Sequence, residues 1–369
     1  MKLFVFGSSL TSSYWNGAAT YYRGIYKNLH GLGFDISFAE PDAFGRQQHR
    51  DHANFDYAEV IIYESPRELP ALLQRARQAD LVIKHSGVGV DDSLLEERVL
   101  ECRSATTQVA FWDVDAPATL ASVENNPSHP FRALIPEYDY IFTYGGGPAV
   151  VEHYERLGAR VCHPIYNALD PDTHYPVAPD PAKYCDLLFV GHRLPDRERR
   201  VEEFFLAAAR MAPEFSFALG GEGWGDKALP RNVRWLGHIG TREHNAVNCS
   251  ARLMLNLNRE SMAGVGFSPP TRVFEAAGSG SCLITDAWDG IGAFFEPGCE
   301  ILVAHNADEI VDLLRTVDNR LAREIGEAMR RRALLEHTYG LRALEVREIL
   351  MHSAGEVRAW RDRELEQPA

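Results

Sequence analysis

Short apolar segments that run into glycine or small polar residues, each followed by an amphipathic stretch, recur along this chain in two series and constrain its fold more than any other feature. The first series reads as strands at Lys2 to Phe6, Phe34 to Ala39, Glu59 to Tyr63, Asp80 to Lys84, Thr107 to Trp112 and Asp139 to Thr143. Helical periodicity lies between them, for instance Tyr21, Ile25 and Leu29 on one face. The second series has strands at Asp186 to Val190, Phe215 to Leu219, Val233 to Leu236, Leu253 to Leu257, Ser281 to Thr285 and Glu300 to Val303. Strands alternating with helices build doubly wound parallel sheets, which expose ligand sites at the carboxyl ends of their strands. Ile165 to Asp186 is proline-rich and lacks apolar periodicity, so the boundary between the two series falls there.

The length of 369 residues fits two domains of this kind, each with its own core. No stretch approaches the roughly 20 apolar residues of a membrane span. The N-terminus enters a strand at once, without a signal-peptide pattern, and the expected location is cytoplasmic. Six scattered cysteines with no CxxC read as reduced thiols rather than a disulfide or zinc framework. A net charge of −14 disfavours nucleic acid as a partner. Lysine occurs only at positions 2, 27, 84, 183 and 227, so 38 − 5 leaves 33 arginines as the main cations for phosphate or carboxylate.

The densest chemistry lies in Ser268 to Asp286, SPPTRVFEAAGSGSCLITD. Ser268 reads as an N-cap, Pro269 as the first helical residue, and Gly278 and Gly280 as the stop. Pro270 removes a further donor, so Thr271 and Arg272 supply the first free amides. Thr271, Arg272, Glu275 and Ser279 share one face. Open amides with a guanidinium suit a diphosphate, and a carboxylate suits ribose hydroxyls. An Arg272–Glu275 surface pair at i,i+3 accounts for the same residues without a ligand.

In the first series His85, Asp113, Asp115 and Gly145 to Gly147 all stand at strand ends. Asp115 is also placed to N-cap a helix that starts at Ala116-Pro117. Gly7-Ser8-Ser9 reads either as a tight turn or as a small-residue floor beneath a ligand, and it lacks the GxGxxG of dinucleotide sites.

The second half resembles the nucleotide-binding half of group 1 glycosyltransferases of the GT-B type. The resemblance runs in order from about Ile165 to Leu314. It rests on IYNALD (165–170), FVGHR (189–193), VRWLGH (233–238), EAAGSGSCLIT (275–285) and EILV (300–303). The SPPTRVFEAAGSG variant, the HTYGLRA end and the FWDVDAP stretch are most similar to the CgeB-like, spore-maturation-type branch. The resemblance implies two Rossmann-like domains facing across a cleft, residues 1–168 and 169–336, with 337–369 crossing back to the first. It also implies transfer of a sugar from a nucleotide-diphosphate sugar to a hydroxyl, with no metal or cofactor. A UDP-sugar is expected before a GDP-sugar, although the residues leave the base open. Donor-binding candidates are Arg193, His238, Ser268, Thr271, Arg272 and Glu275, with Arg197 behind them. Asp115 is the first candidate for a catalytic base, with His85 and Asp113 in reserve. Gly7, Ser8, Asp113 and Gly146 are assigned to the acceptor side. The acceptor is a glycan, a protein, a lipid-linked sugar or a small molecule. The family's Glu-x7-Glu is incomplete here, because Phe267 stands eight residues before Glu275. A sugar-nucleotide epimerase of the same fold and a non-catalytic nucleotide-sugar binder are the alternatives.

Overall fold

The computed structural model describes residues 1–14, 16–51 and 55–365, with backbone alone for 241–242 and 353–365. The chain divides into two compact units, residues 1–166 with 339 onward, and residues 167–338.

In the first unit seven strands form one sheet: β1 (Lys2–Phe6), β2 (Asp35–Pro41), β3 (Glu59–Tyr63), β4 (Leu81–His85), β5 (Gln108–Asp113), β6 (Tyr140–Thr143) and β7 (Cys162–Pro164). Their order is β3-β2-β1-β4-β5-β6-β7, and every pair is parallel. The second unit holds β8 (Cys185–Val190), β9 (Phe217–Gly220), β10 (Val233–Gly237), β11 (Ala251–Asn256), β12 (Leu283–Asp286) and β13 (Leu302–Ala304). These are ordered β10-β9-β8-β11-β12-β13, again all parallel. Central strands of a parallel sheet are covered on both faces, which is why β4, β8, β11 and β12 read as nearly unbroken apolar runs. In the second unit Leu187, Phe189, Val201, Phe205, Leu255 and Ile284 are among the residues of that core. The strand order reverses direction at β1/β4 in one unit and at β8/β11 in the other, and such switch points are where doubly wound sheets leave room for ligands.

The proline-rich segment after Ile165 is not a free linker. Asn167 Nδ2 donates to the Pro269 carbonyl at 3.0 Å, Asn245 Nδ2 to that of Thr173 at 2.9 Å, and the Asp180 amide to Ser250 Oγ at 2.8 Å. Its prolines remove donors that a strand ladder needs, and side chains of the second unit satisfy what remains.

The last helix, Tyr339–Leu365, returns to the first unit and packs on the helix Ala19–Gly31. Tyr339 is buried against Gly24, where an added Cβ would sit 2.2 Å from the ring. Nearby, Trp112 Nε1 donates to the Tyr21 hydroxyl at 3.0 Å, and that hydroxyl donates to the Ile165 carbonyl at 2.6 Å.

Gly24→Ala tests this packing. Alanine favours an isolated helix by about 1 kcal/mol over glycine, while overpacking a buried ring costs about 1–3 kcal/mol. The variant is expected to melt lower than the parent by scanning calorimetry. A higher melting temperature would show that the Tyr339 ring has room to move.

Candidate functional site

The strand ends of the first unit hold themselves together. His85, at the end of β4, is 1% exposed and lies against Tyr22 and Trp112, with the Tyr26 hydroxyl 2.5 Å from its Nε2. Burial drives its pKa down to about 3. It is a neutral core histidine, not a strand-end base. Asp113 is fully buried and accepts from Ser86 Oγ at 2.7 Å, Thr119 Oγ1 at 3.1 Å, the Tyr154 hydroxyl at 2.5 Å and the Asp115 amide at 2.9 Å. Its carboxylate organises the turn after β5 rather than an acceptor surface.

Gly7 is a packing glycine, since a Cβ there would lie 2.3 Å from the Phe38 ring. Ser8 is buried, donates to Asn16 Oδ1 at 3.0 Å, and offers its carbonyl to Arg46. The loop after β1 is knitted together by Glu40, a buried carboxylate on β2 that accepts from Ser9 Oγ, from the amides of Leu10 and Thr11, and from Gln47 Nε2. Gly146 has φ 92° and precedes the helix Gly147–Arg156, and a Cβ there would strike Val150. These residues therefore make turns and cores. Asp115 differs. It is half-buried at the N-cap position of the helix Ala116–Asn125, yet its side chain makes no cap hydrogen bond.

The second unit keeps more of its polar groups available. The helix Thr271–Ser279 starts after both prolines. A residue before proline is pushed away from the helical region, so Pro269 cannot be the first helical residue. Pro270 becomes the N-cap, and Ser268 instead donates to the Gly266 carbonyl at 2.9 Å. Thr271 and Arg272 are then the first two helical residues, with amides that have no carbonyl one turn earlier. Gly280, at φ 70°, is the stop, whereas Gly278 lies inside the helix. A Cβ on Gly278 would sit 2.6 Å from the His174 carbonyl and 2.8 Å from its Cβ. This glycine lets the segment carrying His174 lie directly on the helix.

The close approach brings His174 to Glu275, and His244 of the helix Thr241–Ser250 completes the group. A nitrogen of each ring and a Glu275 oxygen lie within 4.8 Å of one another. Arg272 Nη1 stands 3.5 Å from Glu275 Oε2, and His244 Nδ1 stands 3.9 Å from it. The Arg272–Glu275 pair is thus real but mostly enclosed, with side chains 16% and 9% exposed. Burial pushes the Glu275 pKa up, but the opposing charges, Arg272 foremost, outweigh it and hold it at about 2. Burial lowers the pKa of both histidines. Two histidines and a carboxylate could hold a metal ion, although Arg272 places a positive charge beside the same oxygen. Neither histidine stands out in the sequence, because their meeting depends on contacts about 70 and 100 residues apart in the chain; the mid-helix glycine is the one local sign of it.

At the end of β8, Arg193 is engaged by Glu198 at 2.7 Å and Asp226 at 2.9 Å, so its charge is already matched. Arg197 reaches back toward the loop that follows β8, with Nη1 3.4 Å from the His192 carbonyl. The pKa of His192 is lowered by burial first, then by the positive charges of His238, Arg197 and Arg272, against an opposing pull from Glu222. His238 itself is exposed. Phe267 has φ 45°, and its ring covers Gly290.

Residues 197–348 match a family described as glycosyl transferase-like. No curated protein matches the chain by sequence. Among solved structures, Anabaena HepE in complex with UDP and glucose is similar with a TM-score of 0.68 at 14% identity, over 95% of this chain and 100% of that one. Sucrose-phosphate synthase from Thermosynechococcus elongatus gives 0.68 at 13%, over 96% and 100%. An alpha-glucosyltransferase in complex with UDP and a 13-mer DNA containing an HMU base gives 0.68 at 12%, over 95% and 99%. The chain has the GT-B fold, with two parallel α/β sheets. No helix among the described residues is long and apolar enough to cross a membrane.

The enclosed carboxylate predicts an acid response. Because the Glu275 pKa is lower folded than unfolded, its stabilisation is complete above pH ~4.5 and is lost as pH falls toward ~2. The loss is on the order of 3 kcal/mol at 1.36 kcal/mol per pKa unit. Urea denaturation at pH 5 and pH 3 is expected to show a smaller pH difference for Glu275→Gln than for the parent. Equal slopes would show that Arg272 does not hold the carboxylate ionised.

Proposed function

We propose that the protein is a glycosyltransferase that takes its sugar from a nucleotide-diphosphate donor, a UDP-sugar before a GDP-sugar, held by the second unit. The observation that carries this reading is the start of the helix Thr271–Ser279. Two open amides, the Arg272 guanidinium and the Glu275 carboxylate lie within one helical turn, beside the β8 end that carries Arg197 and His192. A helix N-terminus and arginines attract the diphosphate and stabilise it as it departs with the bonding electrons of the sugar. Glu275 accepts hydrogen bonds from the ribose. Arg197 and Arg272 take the phosphate role, since the charge of Arg193 is already matched by two carboxylates.

The match over residues 197–348 supports transferase activity, and the GT-B neighbours include proteins solved with UDP or UDP-glucose. The CgeB-like branch is supported by the SPPTRVFEAAGSG and FWDVDAP stretches, and a metal-independent reaction by the cationic surroundings of the helix start. On the first unit Asp115, half-buried at the N-cap position of the helix Ala116–Asn125, is the proposed base for deprotonating the acceptor hydroxyl; His85 and Asp113 are enclosed. The acceptor is a glycan, a protein, a lipid-linked sugar or a small molecule.

A thermal-shift screen with UDP, GDP, dTDP, CMP and ADP tests the donor site. At ligand near 100 times its dissociation constant, binding adds about 2.7 kcal/mol and raises the melting point by roughly 5–10 °C. Arg272→Ala and Glu275→Ala are expected to abolish the shift. No shift with any nucleotide would overturn the reading.

Turnover of a sugar nucleotide separates an enzyme from a binder. Asp115→Asn is expected to lower kcat by roughly 10²–10⁴-fold with nucleotide affinity unchanged. An unchanged kcat would remove Asp115 from the mechanism.

A further inference from the structure

At the rim of the first unit a large apolar side chain is presented to solvent by a loop that is otherwise fastened down. Phe44, in the loop after β2, is 56% exposed and has φ 56°, a backbone region that a bulky residue occupies only at a cost. Arg46 ties this loop to its neighbours. It is buried and donates through Nη1 to the Ser8 carbonyl after β1 at 3.0 Å and to the Val88 carbonyl after β4 at 3.4 Å. Its guanidinium also stands over the Phe44 ring, 5.0 Å from the centroid. The loop after β4 makes way for the ring with a glycine, since a Cβ on Gly89 would sit 2.7 Å from it. That loop is fixed in turn by Asp92, which accepts from the amides of Val88 and Gly89 at 3.1 and 2.8 Å and from Nζ of the buried Lys84 at 2.6 Å.

Two residues beyond Gly89 stands Asp91, half-buried and also at φ 56°. It precedes the helix Asp92–Arg98 without capping it, and its carboxylate has no hydrogen-bond or salt-bridge partner among the described residues. Two residues span at most ~7 Å of chain, so the carboxylate and the ring belong to one patch. Three non-glycine residues among those described have positive φ, and this patch holds two of them. A cation suits the patch poorly, because Arg46 already occupies a face of the ring. Nucleic acid and phospholipid headgroups suit it poorly, because Asp91 and a net charge of −14 repel phosphate. A sugar offers what the patch lacks: its C–H face packs on an aromatic ring, and its hydroxyls donate to a carboxylate. We infer that Phe44 and Asp91 form an acceptor subsite for a neutral oligosaccharide, the ring carrying the apolar face of one sugar and the carboxylate receiving its hydroxyls. This rests on the glycosyltransferase reading above and chooses the glycan among its acceptors. Phe44 follows β2 and Asp115 follows β5, and the order β2-β1-β4-β5 separates those strand ends by three spacings, about 14 Å. The sugar seated on Phe44 is therefore remote from the hydroxyl that Asp115 would deprotonate, which is why the acceptor has more than one ring.

Binding of the full chain to an array of immobilised neutral oligosaccharides, built from glucose, galactose, mannose and N-acetylglucosamine, tests the inference without any donor present. The parent protein is expected to bind at least one of them. Phe44→Gly and Asp91→Asn are each expected to weaken that binding tenfold or more. Glycine suits a φ of 56°, so Phe44→Gly removes the ring without adding strain and serves as the variant that folds. Phe44→Trp keeps an aromatic surface and is expected to hold affinity within threefold of the parent, which a merely structural role for the phenyl ring would not predict. Equal binding by the parent and Phe44→Gly would overturn the inference. So would a parent that shifts its melting point with a nucleotide yet binds no oligosaccharide on the array, and that result leaves the donor site intact. Oligosaccharide binding lost in Phe44→Gly, with no melting shift from any nucleotide, would keep the glycan subsite and remove the donor reading. Titration with spermidine gives the remaining outcome: tighter binding than any oligosaccharide, lost in Asp91→Asn, would reassign the patch to a cation and overturn the inference.

Discussion

Parallel pairing is the constraint on which the rest of this structure depends. With every strand of a sheet running the same way, all carboxyl ends in that unit fall on one rim, and every return connection must cross a face of the sheet. The crossing helices make the strands apolar on both sides, and polar residues are pushed to the loops at the ends. Chemistry collects at the rim because the interior cannot accept it. The switch points, β1/β4 and β8/β11, then decide where two neighbouring loops part and leave room.

The two rims use their polar residues differently. In the first unit, Glu40 and Asp113 are enclosed carboxylates whose lone pairs are taken up by nearby hydroxyls and amides. Such networks fix loop geometry, and satisfied groups gain nothing from a ligand. In the second unit, the helix start after two prolines leaves amides open, and the Glu275 cluster is enclosed but unmatched. Equal polarity at a strand end therefore does not imply equal function; what separates the two rims is whether the hydrogen bonds are already made.

Much of this architecture was legible in the sequence, because apolar runs and glycine stops are local signals. Lys2–Phe6 and Glu59–Tyr63 coincide with their expected spans, and Cys185–Val190 starts one residue before its own. The strand Cys162–Pro164 escaped because three residues ending in proline carry no period, and the helix Glu260–Val265 because six residues ending at a glycine of φ 74° look like a turn. At the site the stretch from Thr271 to Glu275 was visible, whereas its partners were not. His85 and Asp113 looked available since sequence shows that a residue ends a strand but not what closes over it. Ser268 has the side chain of a cap, but Pro270 keeps Pro269 out of the helical region, and the helix starts after both prolines. Gly278 looked like a stop, and its true reason, the passage of the His174 segment 2.6 Å from where a Cβ would sit, is a tertiary fact.

In the proposed donor site Arg272 joins the phosphate and ribose halves of the chemistry. Its guanidinium is near enough to Glu275, at 3.5 Å, to keep an enclosed carboxylate ionised, yet the two make no aligned hydrogen bond. An arginine held by carboxylates at 2.7–2.9 Å has the donors that face them occupied. Arg193 is in that condition between Glu198 and Asp226. Arg272 has instead a fixed position, a compensated charge and unspent donors, and the helix amides beside it add their own partial positive charge. In the proposed donor site a diphosphate would gain hydrogen bonds there without breaking an established pair, and the carboxylate behind it would remain charged to receive the ribose. In the proposed site the same side chain would serve an anion on one side and an acceptor for hydroxyls on the other, within a single turn of helix.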